Sequence, residues 1–101
     1  MPLGDDHEPL DDLLRALAHP ARRRILAVAA GRPVSAGALA RTLGLANATT
    51  SEHLRVLRKT GLVTMTVRGT WRLYQTDRAR VGALHAQLGA FARSLHQEDE
   101  G

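Results

Sequence analysis

A chain of 101 residues has room for one domain, and with aromatics at 3% its core has to be aliphatic, built from Leu, Val and Ala. The absence of cysteine excludes disulfides, thiolate metal sites and cysteine nucleophiles, and no apolar run approaches the ~20 residues that cross a bilayer. The net charge of +4 hides an asymmetry: eight of the ten acids lie at the two ends, while the stretch from Leu13 to Gln97 carries all fourteen Lys and Arg against only Glu52 and Asp77, a formal +12. Such a body repels itself unless a polyanion neutralises it, so nucleic acid is the expected partner of a soluble, cytoplasmic protein with no membrane contact.

In chain order, residues 1–9 read as a flexible acidic arm punctuated by Pro2, Gly4 and Pro9. Leu10, Leu13, Leu14 and Leu17 then recur at helical spacing and stop before His19-Pro20. Pro20 suits the first position of a second helix, Pro20–Ala30, which buries Ile25 and Leu26 and ends at Gly31. The consecutive Arg22, Arg23 and Arg24 fan around its axis, so some must face solvent or phosphate. Pro33-Val34-Ser35 is a break that leaves Ser35 as N-cap of a short helix, Ala36–Leu43, closed by Gly44. After Leu45-Ala46 a fourth helix spans about Asn47–Thr60, with Leu54 and Leu57 inward and Gly61 as its stop.

Period-two alternation follows in Leu62–Val67, with Arg68-Gly69-Thr70 as a hairpin tip and Trp71, Leu73 and Tyr74 on the returning strand. Trp71 and Tyr74 are expected to pack in the core or the wing. Asp77 caps a last helix, Arg78–Gln97, whose Val81, Leu84, Leu88, Phe91 and Leu95 step by three and four as an a/d seam. Residues 10–97 therefore form the domain and 98–101 an acidic tail. Two helices joined by a tight glycine turn, followed at once by a hairpin, define a winged helix-turn-helix: mainly α with a β-hairpin, in the order α-α-α-α-β-β-α.

The stretches LLRALAHPARRRIL and ALARTLGLANATTSEHLRVLRKTGLV, with the hairpin after them, resemble the ArsR/SmtB family of winged-helix regulators over about Leu10–Leu95. The resemblance implies a homodimer joined through its first and last helices. It also implies operator binding by the helix around Thr49–Arg58, with the hairpin on flanking backbone, and usually repression released by a metal ion or another signal. Two departures stand out. Ala46 occupies the position where the family places a serine cap, which leaves the cap to Asn47, and the family's cysteine metal motif is missing.

The candidate DNA-reading residues crowd the first turns of the fourth helix: Asn47, Thr49, Thr50, Ser51, Glu52 and Arg55. Asn pairs with adenine, Arg with guanine, Glu with a cytosine amine, and Ser or Thr with bases or phosphates. Arg58 and Lys59, further along, suit phosphate, as do Arg68 and Arg72 flanking the wing glycine. His53, one residue from the apolar row, reads as structural or as a phosphate contact. Catalysis has no footing: Ser51 and His53 point to different sides of a helix, and no glycine-rich phosphate loop is present.

His85 and His96 are eleven residues apart on the last helix, which rotates them to within about 20° of each other but separates them by ~16 Å. One ion reaches both only if His85 of one subunit lies opposite His96 of an antiparallel partner, with Asp99 on the same face as His96. This is similar to the last-helix site of zinc-, cobalt- and nickel-responsive family members, except that Ala83 stands where their first acid does. His7 or Glu98 are candidate replacements, and donors without sulfur suit nickel or zinc. The alternative reading is a DNA-binding regulator with no metal, controlled by a protein partner.

Overall fold

In a computed structural model, residues 9–100 are described, with side chains for residues 9–96. Five helices and three strands follow one another as α1 (Pro9–Leu17), α2 (Pro20–Gly31), β1 (Val34–Ser35), α3 (Ala36–Leu43), α4 (Asn47–Lys59), β2 (Val63–Arg68), β3 (Trp71–Thr76) and α5 (Arg78–Glu100). The one unforeseen element is β1. The pair Val34-Ser35, read from sequence as a break alone, also lies antiparallel to β3, Val34 opposite Tyr74 and Ser35 opposite Leu73, giving a sheet ordered β1-β3-β2. Two residues carry too little periodicity to declare a strand; the partner supplies the pattern.

Local chemistry accounts for the boundaries. The Ser35 hydroxyl accepts from Ala38 N–H at 3.2 Å to start α3. Gly44 closes it at φ 67°, a left-handed conformation that glycine adopts without Cβ strain. The Asp77 carboxylate accepts from Arg80 N–H at 3.0 Å at the head of α5. At the wing, Gly69 with φ 60° takes the first central position of a two-residue loop, as a type II′ hairpin requires. The last helix runs past Gln97 to Glu100, further than its apolar seam suggests.

The core draws one or two aliphatic residues from nearly every element: Leu13 and Ala16 of α1, Ile25 and Leu26 of α2, Leu39 of α3, Leu54 and Leu57 of α4, then Leu62, Val63 and Leu84. Thr76, also buried, donates its hydroxyl to the Leu26 carbonyl at 2.8 Å and so ties the sheet to α2. Only the first turns of α5 share this core. Beyond Leu84, the seam residues Leu88, Phe91 and Leu95 are exposed, as is Leu14 on α1. The molecule is correspondingly long, 57 × 32 × 24 Å. Among the described residues no helix is long and apolar enough to cross a membrane.

Candidate nucleic-acid interface

Helices α3 and α4 meet through Leu39, Leu54 and Leu57, all buried, which turns the opposite side of α4 outward. Asn47, Thr49, Ser51, Glu52, Arg55, Arg58 and Lys59 are exposed there, and Arg68 and Arg72 are exposed on the wing. Thr50 is the exception among the expected readers. It is 0% exposed, and its hydroxyl donates to the Ala46 carbonyl at 3.0 Å, so it is a core residue. The physical reason is periodicity: Thr50, Leu54 and Leu57 fall on one helical stripe, and the stripe faces α3. Asn47 does not cap the helix either. The N-cap is Ala46, whose side chain makes no cap bond, and Asn47 is the first residue inside the helix, free to project from its positive end.

Two pairings involve side chains of α4. Arg55 grips Glu52 through Nε at 3.2 Å and through its terminal nitrogen at 2.7 Å, a two-point ion pair on the outward face. That bond and the attendant charge attraction lower the Glu52 pKa and raise that of Arg55. Arg55 is therefore held until something competes for it. His53 turns inward instead, where its Nδ1 accepts from Arg22 Nε of α2 at 3.1 Å and its ring lies 6.1 Å from that of His19. Burial, then the charges of Arg22 and His19, push the His53 pKa down. The clasp needs a lone pair on Nδ1, which the neutral imidazole supplies. Arg22 and Arg15 also line, with Arg55 and Lys59, a cleft between α1, α2 and α4. The run Arg22–Arg24 fans around α2, and only packing shows which of the three reaches α4.

Trp71 corrects an expectation. Instead of packing in the core or wing it stands 64% exposed at the hairpin tip, because the last rungs of β2 and β3 extend beyond the body. Tyr74, three residues nearer the body, is half-buried against the core.

On α5, His85 and His96 are both exposed, and His85 borders a groove shared with Arg23 and Arg78. Among the described residues no three metal-ligating side chains gather within one chain. Arg23 and Arg78 bring positive charge to that groove, and Ala83 offers no carboxylate. The described donors of one chain thus do not fit a four-ligand zinc or nickel centre. The side chains of His7, Glu98 and Asp99 lie outside the described residues.

An outward helix after a tight turn, a basic wing beside it and a cationic body define a winged helix-turn-helix DNA-binding domain. Residues 17–66 match the family model described as a helix-turn-helix domain. The chain is 38% identical over 81 residues to the HTH-type transcriptional regulator Rv2034 of Mycobacterium tuberculosis, an alignment covering 80% of this chain and 76% of that one. Its fold superposes on an ArsR-like transcriptional regulator from Rhodococcus sp. RHA1 with a TM-score of 0.82 at 23% identity, covering 89% of this chain and 85% of that one. A similar match, TM-score 0.69 at 28% identity over 84% of this chain and 79% of the other, is the homodimeric winged helix-turn-helix domain of Mb0332 from Mycobacterium bovis, a possible ArsR-family regulator. The chain belongs to the ArsR family of winged helix-turn-helix transcriptional regulators. It is a transcriptional regulator with a helix-turn-helix DNA-binding domain.

Proposed function

We propose that the protein is a homodimeric, sequence-specific DNA-binding repressor of the cytoplasm. Asn47, Thr49, Ser51, Glu52 and Arg55 enter the major groove, while Arg58, Lys59, Arg68 and Arg72 hold flanking phosphates. The observation that carries this reading is the outward presentation of the first turns of α4 from a body with a formal charge of +12. The M. bovis neighbour is homodimeric, and the exposed Leu14, Leu88, Phe91 and Leu95 offer this chain the apolar surface for the same arrangement through α1 and α5. A two-fold dimer presents two copies of α4 to successive major grooves, and occupation of such a site blocks access to a promoter.

The test is selection from a pool of random duplexes by the full chain. Enrichment of an inverted repeat, with half-sites about one helical turn apart, is the expected outcome. A pool that returns no preferred sequence at moderate salt overturns the reading.

A second reading has nickel or zinc, bound by His85, His96 and Asp99 across antiparallel α5 helices, altering operator affinity. The exposure of both imidazoles on one side of α5 favours it; Ala83 and the two arginines lining the same groove as His85 weigh against it. Titration of tag-free protein with nickel or zinc, beside His85→Ala and His96→Ala, decides. Loss of a metal effect in the variants supports the site. Unchanged affinity in all three proteins leaves control by a protein partner, or none.

A further inference from the structure

The exposed large apolar side chains fall into two groups. Leu14, Leu88, Phe91 and Leu95 belong to α1 and α5, whereas Val67 and Trp71 stand at the far end of the hairpin, 63% and 64% exposed. The ladder register shows how the tip is arranged. Arg68 is directly opposite Trp71, and Val67 directly opposite Arg72. Cross-strand partners share a face and successive residues alternate, so one face of the tip shows a guanidinium with an indole and the other a guanidinium with an isopropyl group.

The hairpin itself does not call for an indole here. The turn is set by Gly69, and the sheet is anchored by Val63, Thr76 and half-buried Tyr74 at the other end. Val67 and Trp71, each paired across the strands with an arginine, make the tip a mixed apolar and cationic surface suited to a contact. The charges choose the partner. A second copy docking here would set arginines against arginines, while a duplex offers phosphates for the guanidinium groups and, between them, a groove walled by apolar sugar.

We propose that Trp71 is a DNA-contacting residue: its indole enters the minor groove beside the segment read by α4 and packs on deoxyribose and base edges, with Arg68 on the adjoining phosphate. The inference rests on the DNA-binding function proposed above and extends it from cationic to apolar contact at the wing. Because the indole surface takes any sequence of sugars, Trp71 adds affinity at flanking base pairs more than it adds base discrimination.

Trp71 is the chain's only tryptophan, so intrinsic emission reports on this position alone. The experiment titrates the full chain with the duplex selected above, following indole emission and acrylamide quenching while the anisotropy of a labelled duplex records binding independently. In the saturated complex the emission changes and acrylamide access falls severalfold. Trp71→Ala binds about ten-fold more weakly or worse, and Trp71→Phe recovers most of the loss, with dimerisation and helix content as in the parent. An indole equally open to acrylamide in the bound and free states, with Trp71→Ala within two-fold of the parent, overturns the inference and leaves the DNA-binding reading standing. No anisotropy change with any duplex overturns both.

Discussion

Phe91→Ala tests the homodimer proposed above. Phe91 is 60% exposed on a single chain, although a phenylalanine carries on the order of 200 Å² of surface. If α5 pairs with its copy, about 120 Å² per chain leaves the water, and symmetry doubles it. At ~25 cal/mol per Å² the pair of side chains is worth at most about 6 kcal/mol, and about 3 kcal/mol if half of that area is covered. The dimer dissociation constant should therefore rise by ~10²- to 10⁴-fold, since each 1.4 kcal/mol is a factor of about ten. Sedimentation across a dilution series measures that constant directly. Because Phe91 lies outside the buried core of its own chain, thermal unfolding of the monomer should change little. A dimer as tight as the parent's would refute the assignment of the α5 seam to subunit contact.

Three further outcomes are expected. Thr50→Val, nearly isosteric, removes the bond to the Ala46 carbonyl and should cost about 1 kcal/mol, seen as a melting temperature lower by several degrees with base preference intact; altered base preference at native stability would make Thr50 a reader after all. Glu52→Gln frees Arg55 and removes an anion from the outward face of α4. Affinity for arbitrary duplexes should rise, with a log–log salt slope steeper by about one unit, and an unchanged slope would sink the idea that Glu52 restrains Arg55. His53, whose pKa is depressed in the folded chain, makes the unfolded chain the better proton binder, so its contribution to stability is present above pH ~6.5 and drains away as the pH falls through the folded value. Denaturant unfolding should show His53→Gln less sensitive over that acid window, because an amide oxygen still accepts from Arg22. Parallel pH profiles for the two proteins would dismiss the clasp as a titrating element.

Much of this molecule is written in short-range chemistry. The stops and caps at Ser35, Gly44, Gly69 and Asp77 act within four residues of themselves, and the three-four spacing of leucines needs only a helix to become a face. The helix-turn-helix and wing were therefore legible before any contact was known. The buried side of α4 was legible too, since Thr50 continues the stripe of Leu54 and Leu57; its hydroxyl suggested a reader, and its position decided otherwise.

Tertiary structure alone decided what depends on partners distant in the chain. Val34-Ser35 becomes a strand because β3, some forty residues later, offers its free edge. Arg22 rather than Arg23 or Arg24 reaches His53 because α2 crosses α4 at that turn. Trp71 lies in solvent because the hairpin outruns the body, a matter of relative lengths that no local pattern encodes. Spacing along a chain specifies which side chains share a face, but what that face meets is settled only when the elements pack, since burial is a property of the whole assembly of elements.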